Sequence, residues 1–322
     1  MTTRRANAAT GRRGWPTPTR RDPFDQFLAG LGALAHELAA VPGGDALARR
    51  AGEVARSLTH PEVTVVFAGC HNAGKSTTLN ALLDRPLLPV NDLPETGTVC
   101  ELRRGAGPSP DRAVLHGPGE PREVGCDPEA IRREIALFDA DGTRRAGVAA
   151  GRRLEIALAD DHIPPAACWV DTPGIHTERD PRTARRTRRL AARADLVVWV
   201  LRAPPAPGIE ERAFFAPAAA DPAGVLVVAN VFLPAGGGPE VWPRYLTGEW
   251  TAHAKRWRDW VAEAAGFPAG WAPELLPVAA AAGFGVDGLR ARLADLDGPA
   301  HPRVRRVRLG RAAQTLGHLG RE

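Results

Sequence analysis

The segment GCHNAGKS, residues 69–76, matches the phosphate-binding pattern GxxxxGK[ST]. It follows an apolar, β-branched run at 63–69 and precedes a helix-forming stretch, which is the strand–loop–helix setting that this pattern requires. Glycines let backbone amides wrap around phosphates. Lys75 is placed to neutralise the β- and γ-phosphates of a nucleoside triphosphate, and the Ser76 hydroxyl to ligate Mg²⁺. The segment therefore predicts a nucleotide site.

A second element, Asp171-Thr172-Pro173-Gly174, follows the apolar segment ACWV. A carboxylate at a strand end beside a phosphate loop is suited to hold Mg²⁺ through water, and the Gly174 amide to meet the γ-phosphate. Between the two motifs, Thr96 is a candidate switch threonine that would complete the Mg²⁺ shell, and Thr98 is the competing choice. The predicted metal ligands are thus Ser76, Thr96 and Asp171.

The elements that must position these residues alternate along the chain. Short apolar strand candidates recur with helical segments between most of them. This alternation predicts an α/β fold of the P-loop NTPase kind, with a mainly parallel sheet between two helical layers. The stretch 105–151, rich in Gly, Pro and charge, predicts an insertion of loops and edge strands.

The ends of the chain differ from its body in charge and pattern. The 322 residues carry a net charge of +5, but residues 1–21 hold six Arg and no acid, and residues 301–322 hold six Arg and one Glu, so the body is acidic at 5 − 6 − 5 = −6. We expect a disordered basic tail at 1–21, two helices within 22–59, the nucleotide domain at 60–296, and a basic linker with a short helix at 297–322. Gly310 weakens that last helix.

Composition excludes several classes of protein. With 44% hydrophobic and 25% charged residues the chain is not disordered as a whole, and no apolar run approaches the roughly 20 residues of a membrane-spanning helix. The first residues lack the apolar segment of a secretory signal, so we expect a cytoplasmic protein. The four cysteines are widely spaced without a CxxC pair, which argues against a zinc ribbon or a disulfide framework.

The chain resembles the GTPase domain of bacterial dynamin-like proteins in four sequence segments. They are GCHNAGKSTTLNALL, LLPVNDLPETGTV, DTPGIH and ADLVVWVLRAPPAPGIEERAFF. The 96 residues from Lys75 to Asp171 suit the enlarged dynamin-type domain. The sequence of the phosphate loop and the segment DTPGIH are also similar to those of the Era and MnmE group of GTPases. The resemblance implies GTP/GDP and Mg²⁺ as ligands and GTP hydrolysis that drives a conformational switch. The resemblance also makes the helices expected within 22–59 similar to the neck helices of that family, and we expect the long helical stalk of full-length dynamin-like proteins to be lacking.

The resemblance also implies which residues contact the nucleotide. Asn230 and Ala279 belong to the two motifs that contact the nucleotide base in the resembling families, and Thr77 follows the phosphate loop. The residues assigned to nucleotide binding are Gly69, Cys70, His71, Asn72, Ala73, Gly74, Lys75, Ser76, Thr77, Gly174, Asn230 and Ala279.

Two departures from the family pattern concern chemistry. The base-reading motif [NT]KxD is replaced by Asn230-Val231-Phe232-Leu233, so the carboxylate that pairs with guanine is missing, and GTP preference or relaxed selection both stay open. Ile175 stands where a small GTPase has a water-positioning Gln. In the resembling families the phosphate loop contributes instead, often with a bound K⁺ or Na⁺. We therefore assign catalytic roles to Lys75, Thr96, Asn72 and His71; the alternative is that Asn72 and His71 only shape the loop.

The expected partners follow from the same resemblance and from the basic ends. They are a second copy bound through the GTPase-domain face, a helical or dynamin-like partner, and an anionic membrane surface, with a peripheral place at the inner face of the membrane. The alternative functions are an Era- or MnmE-like RNA- or ribosome-associated GTPase and a nucleotide-binding module with little turnover. No appended RNA-binding domain is evident after Leu296, which disfavours nucleic acid.

Overall fold

The structure, a computed structural model, describes residues 22–90, 98–107, 109–135, 152–175, 181–204, 222–233, 240–267, 270 and 273–319. The expected tail at 1–21 and Thr96 lie outside the described residues. The chain divides into two compact units, Met1–Arg56 and Ser57–Glu322. No helix of the described residues is both long and apolar enough to cross a membrane.

The first unit contains two helices. Helix α1, Pro23–Ala39, begins at Asp22, whose carboxylate accepts a hydrogen bond from the Phe24 amide at 2.9 Å. Helix α2, Asp45–Leu58, opens with an acid in its first turn and ends with its last two residues in the second unit. An acidic residue in the first turn favours a helix through its backbone dipole.

The second unit is a nine-stranded sheet with helices on both faces, which confirms the predicted fold class. Its strands are β1 (Val63–Ala68), β2 (Val99–Arg104), β3 (Arg112–His116), β4 (Arg122–Val124), β5 (Arg153–Leu158), β6 (Ala167–Asp171), β7 (Leu196–Arg202), β8 (Val225–Asn230) and β9 (Glu274–Val278). Its helices are α3 (Lys75–Leu82), α4 (Pro128–Ile135), α5 (Pro181–Arg193), α6 (Val241–Tyr245), α7 (Thr251–Ala265), α8 (Val286–Ala294) and α9 (Pro302–Leu319). A π-helical turn, Leu246–Trp250, joins α6 to α7.

The strand order is β4-β3-β5-β2-β6-β1-β7-β8-β9, with β1 near the centre. The β1–β6, β1–β7, β2–β5, β7–β8 and β8–β9 pairs are parallel, whereas β2–β6, β3–β4 and β3–β5 are antiparallel. The described part of the Gly- and Pro-rich stretch forms β3, β4 and α4 at one edge. Short antiparallel strands suit that edge, because one of their faces can meet water while the other packs on the core.

Alternation along β1 divides the core between the two faces of the sheet. Val65 and Phe67 belong to the cluster that α3 and α8 cover, and Val66 and Ala68 to the cluster that α5 and α7 cover. Because every residue of β1 except the half-buried Thr64 is buried, its carboxyl end and the loop that follows have a rigid base.

Helix α9 is longer than the short terminal helix expected from the sequence, and it runs through Gly310. Glycine costs roughly 1 kcal/mol inside a helix, which packing can offset. Here Val304 and Val307 are buried, and the guanidinium of Arg308, only 2% exposed, forms an ion pair with Asp195. Tertiary burial therefore decides the length of this helix.

Candidate functional site

The phosphate loop leaves the carboxyl end of β1, between β6 and β7, and α3 begins directly after it at Lys75. Carboxyl ends of parallel strands meet at one edge of a sheet, where α/β proteins of this kind bind ligands. Asp171 ends β6 and pairs in register with Phe67 of β1. The two predicted motifs are thus brought together by strand pairing.

Two loop glycines are required by close contacts with neighbouring strands. Gly69 has φ of +150°, and a Cβ there would lie 2.3 Å from the Val200 carbonyl oxygen. Gly74 has φ of +94°, and a Cβ would lie 2.0 Å from the Asn230 amide nitrogen. No other residue type fits either position without moving backbone or side chain. The loop is therefore drawn tightly against β7 and β8.

The Lys75 side chain contacts the backbone of the phosphate loop that precedes it. It is only 7% exposed, and its Nζ donates to the carbonyl oxygens of Gly69 at 3.1 Å and Cys70 at 2.9 Å. These two backbone carbonyls of the phosphate loop thus hold the Lys75 ammonium group in place. A buried, fixed positive charge in this position is suited to bind the phosphates of a nucleotide.

Ser76 and Asp171 form the other half of the centre. The Ser76 hydroxyl donates to Asp171 Oδ2 at 2.8 Å, and the carboxylate is 1% exposed. The other carboxylate oxygen, Oδ1, is buried and has no hydrogen-bond partner among the described residues. A hydroxyl and an unsatisfied carboxylate oxygen are the hard oxygen donors that Mg²⁺ prefers, so these residues fit that ion.

Burial raises the pKa of Asp171 to about 6, against the opposing charge of Lys75 and the hydrogen bond from Ser76. An acid whose pKa is raised by folding binds its proton more tightly in the native state, so the free energy of unfolding falls as pH rises through this range. The site thus keeps an unfavourable buried charge at neutral pH, a common cost of function.

We expect Asp171→Asn to increase the free energy of unfolding at pH 8 by up to about 3 kcal/mol in metal- and nucleotide-free protein. The gain should shrink as pH falls below about 6 and vanish near pH 4, since the native carboxyl is then protonated. Urea denaturation with EDTA at several pH values measures it. A gain that is equal at pH 4 and pH 8 would contradict the prediction.

The segment after Asp171 lies against the phosphate loop. The Thr172 hydroxyl donates to the Phe67 carbonyl at 2.7 Å, and a Cβ on Gly174 would come within 3.0 Å of the His71 backbone. Ile175 is fully buried, and its amide donates to the Gly69 carbonyl at 3.3 Å. Ile175 therefore anchors the segment beneath the loop and is not placed to orient a water molecule.

The competing switch threonine, Thr98, is fully buried. Its hydroxyl has no hydrogen-bond partner among the described residues. It lies two residues before Cys100, which pairs with Asp171 across β2 and β6. The strand that follows Thr98 therefore runs beside the strand that ends at Asp171. Sequence reasoning placed Thr96 first, because the burial and the unpartnered hydroxyl of Thr98 are visible only in three dimensions.

Asn230 connects the two ends of the site. Its side chain, 3% exposed, donates from Nδ2 to the Ala73 carbonyl at 2.9 Å and accepts at Oδ1 from the Ala280 amide at 3.3 Å. It thereby fixes the phosphate loop relative to the base-side loop, Ala279–Phe284. The Ala279 amide donates to the Phe284 carbonyl at 2.9 Å, so it is already engaged within that loop.

The remaining loop residues have different exposures. Ala73 is buried, His71 is half-buried, and Asn72 is exposed with a left-handed φ of +58°. Thr77 lies one turn into α3 and lines a cavity that also contacts the base-side loop. Sequence reasoning missed Ala281, a further residue of that cavity wall, since an alanine carries no side-chain signal.

Comparison with protein-family profiles matches residues 65–228 to the dynamin family. That span covers half of the chain and both motifs of the site. The chain belongs to the dynamin family. The fold described above is accordingly a dynamin-type P-loop GTPase domain, with the phosphate loop and DTPG inside the matched span.

Two curated relatives each align with about half of this dynamin-family chain. The isoniazid-induced protein IniA of Mycobacterium tuberculosis is 30% identical over 158 residues, 48% of this chain and 23% of IniA. The tRNA modification GTPase MnmE of Acidiphilium cryptum is 31% identical over 160 residues, 48% of this chain and 32% of MnmE. The chain therefore spans less than a third of the length of either relative.

Among solved structures, the chain is similar to one from an oligomerised bacterial dynamin pair described as a mechanism for long-range sensing and tethering of membranes. The TM-score is 0.55 at 15% identity, and the similarity covers 92% of this chain and 43% of that one. At this identity the likeness supports the fold alone.

Proposed function

We propose that this dynamin-family protein binds and hydrolyses GTP with Mg²⁺ as a conformational switch. The observation that carries the proposal is that three groups lie together at the phosphate loop. They are the buried ammonium group of Lys75, the hydroxyl of Ser76 and the carboxylate of Asp171, whose Oδ1 has no hydrogen-bond partner among the described residues. Its membership of the dynamin family and its likeness to MnmE, a GTPase by name, support GTP as the ligand.

Each residue has a distinct part in this proposal. Lys75 and the amides of residues 69–76 bind the phosphates, and Ser76, Asp171 and Thr96 or Thr98 hold Mg²⁺. Mg²⁺ supplies positive charge that offsets the charge of the phosphates. The Gly174 amide is close to the loop because its segment packs on His71. Its contact with the γ-phosphate would couple hydrolysis to movement of the DTPG segment.

The test is phosphate release from GTP by the purified chain. We expect release that needs Mg²⁺, stops in EDTA and saturates with GTP. Tight GTP binding without release would instead support the nucleotide-binding module, and absence of GTP binding would refute the proposal.

Because Ile175 is buried, the attacking water must be oriented by other groups, and we assign this to the loop residues Asn72 and His71 with a bound monovalent cation. We expect phosphate release to be at least about fivefold faster in KCl than in LiCl at equal ionic strength, and Asn72→Ala to remove this difference. NaCl serves as a third condition. Equal rates in KCl and LiCl would contradict the cation assignment.

For partners and location, we propose a cytoplasmic protein that pairs through its GTPase-domain face and meets a helical partner or the anionic inner face of a membrane. The basic ends support the membrane part of this proposal, and membership of the dynamin family supports the pairing. Sedimentation with vesicles of phosphatidylglycerol, against vesicles of phosphatidylcholine, tests the membrane part. Light scattering with GDP and with a non-hydrolysable GTP analogue tests pairing.

The alternative is an RNA-associated GTPase, favoured by the 31% identity to a protein named as a tRNA modification GTPase. It predicts RNA binding with a steep dependence on salt concentration. Filter binding of tRNA and ribosomal RNA between low and physiological salt distinguishes it from the membrane-associated function.

A further inference from the structure

Three aromatic rings form a stack beside the base-side loop. Trp242 of α6 lies between Tyr245 of the same helix and Phe284, the last residue of that loop. The ring centroids of Trp242 and Tyr245 are 5.7 Å apart with 16° between the ring planes, and those of Trp242 and Phe284 are 5.8 Å apart with 8° between the planes. Rings stacked in this way attract each other beyond the effect of buried apolar area. The stack therefore joins α6 to the base-side loop.

Spacing along α6 specifies the helix side of the stack. Trp242 and Tyr245 are three residues apart, so their side chains lie on the same face of the helix. The Tyr245 hydroxyl is buried and has no hydrogen-bond partner among the described residues, so packing holds this ring. Helix α6 has five residues, and a helix this short is unstable without tertiary contacts. The stack supplies such a contact.

The loop side of the stack fits closely against the indole ring. Gly283 and Gly285, both with a left-handed φ of +74°, flank Phe284. A Cβ on Gly285 would lie 2.5 Å from the Pro277 carbonyl oxygen and 3.0 Å from Cζ2 of Trp242. Glycines permit many backbone conformations, so the residue types of this segment do not fix it by themselves. The contact with Trp242 therefore restricts a segment that would otherwise have more freedom.

Hydrogen bonds connect Phe284 to the phosphate loop. The amide of Phe284 donates to the Ala279 carbonyl at 3.2 Å, and its carbonyl accepts from the Ala279 amide at 2.9 Å, which closes the base-side loop. The next amide, that of Ala280, donates to Asn230, whose side chain donates to the Ala73 carbonyl. A continuous series of contacts therefore runs from the aromatic stack to the phosphate loop.

We infer that Trp242 is a positioning residue for nucleotide binding, because it holds the base-side loop where Asn230 can bond to both loops. The inference rests on the proposed function, since the ligand is taken to be GTP or GDP. Lys75 and Ser76 have contacts of their own, with two loop carbonyls and with Asp171. Loss of the stack should therefore weaken nucleotide binding and leave the chemical step unchanged.

The experiment compares GDP affinity and GTP turnover in the unsubstituted chain, Trp242→Ala and Trp242→Phe. We expect Trp242→Ala to raise the dissociation constant of GDP and the KM for GTP at least about fivefold, with kcat within about twofold, because both stacked contacts of the indole are lost. Trp242→Phe keeps a ring in the stack and should recover most of the affinity.

Trp260→Ala is the matched control. This tryptophan is 39% exposed on α7, where its ring contacts the guanidinium group of Arg256. Its loss should change neither the GDP affinity nor the KM for GTP. An effect as large as that of Trp242→Ala would show a general response to loss of an indole, and would overturn the inference.

A double variant tests whether the two rings act together. Because Trp242→Ala and Phe284→Ala break the same contact, the double variant should bind GDP no more than about twofold more weakly than the weaker of the two single variants. Hydrogen exchange of the nucleotide-free chain gives a measurement that needs no ligand. Amides of the base-side loop should exchange faster in Trp242→Ala, whereas unchanged slow exchange in β1 would show that the variant is folded.

Failure of the inference and failure of the proposed function are distinguishable. Unchanged GDP affinity in Trp242→Ala overturns the inference alone, as do unchanged exchange in the base-side loop and losses that simply add in the double variant. An unsubstituted chain that binds neither GDP nor GTP overturns the proposed function, and with it the role of Trp242 in binding.

Discussion

Replacement of Lys75 by alanine is expected to lower kcat/KM for GTP by about 10²- to 10³-fold. Lys75 is 7% exposed and its ammonium group is fixed by two loop carbonyls, so under the proposed function it would bind phosphate in a site from which most water is excluded. Its loss leaves the γ-phosphate charge without its nearest side-chain cation. Phosphate release at several GTP concentrations measures the effect.

Lys255→Ala is a matched control, because Lys75 and Lys255 are the only two lysines of the chain. Lys255 is 88% exposed and pairs with Asp259 one helical turn away, so its loss should leave kcat/KM unchanged. Lys75→Arg should fail nearly as badly as alanine, since a planar guanidinium is wider than the compact ammonium group that donates to the Gly69 and Cys70 carbonyls in this buried site. Retention of more than about a tenth of the activity in Lys75→Ala would contradict the assigned role.

Replacement of Asp195 by alanine is expected to lower the free energy of unfolding of the second unit by about 3 to 5 kcal/mol, because it leaves the buried Arg308 charge without its partner. Arg308 binds both carboxylate oxygens of Asp195, at 2.9 and 2.8 Å. The same carboxylate accepts from the Thr64 amide at 3.0 Å and from Arg311 at 2.7 Å.

Arg308 also donates to the carbonyls of Leu58, His60 and Glu62, at 3.3, 2.6 and 2.7 Å, so all of its donor groups are engaged. These three carbonyls lie in the segment that leads into β1. Arg308 thus connects α9 to the start of the central strand, at the amino edge of the sheet. Because the phosphate loop lies at the opposite edge, GTP affinity at low temperature should be unchanged in Asp195→Ala.

Urea denaturation measures this loss of stability. Arg112→Ala is the control, since its pair with Glu123 is more than half exposed on both sides and should contribute little. The double variant Asp195→Leu/Arg308→Met should be less destabilised than the sum of its single changes, because it removes both buried charges. A loss below about 1 kcal/mol in Asp195→Ala would contradict the prediction.

The sequence was sufficient for the fold class and for the phosphate loop. The loop pattern requires a strand before it and a helix after it, and each is specified by local periodicity around residues 63–82. The sequence also identified Asp171 as a candidate metal ligand, because an acidic residue at the end of an apolar segment is uncommon unless it has a function. The missing carboxylate at position 233 and the apolar Ile175 could likewise be read directly.

Contacts between residues that are distant in the chain could not be predicted from the sequence. Helix α9 was expected to be short because Gly310 weakens a helix locally, yet the burial of Val304 and Arg308 stabilises it over 18 residues. The antiparallel pairing of β2 with β6 places Cys100 opposite Asp171, and no local pattern encodes that pairing.

The sequence by itself therefore determined which chemical groups the site contains, because phosphate binding depends on a short contiguous loop whose residue types carry the function. Only the tertiary structure decided how those groups are constrained. Asn230 joins two loops that lie 157 and 50 residues away from it in the sequence. Arg290 forms ion pairs with Asp84 and Asp287, and burial raises the pKa of Asp171 to about 6. Burial, hydrogen-bond partners and ion pairs depend on neighbours distant in sequence, and these neighbours are set only when the sheet assembles.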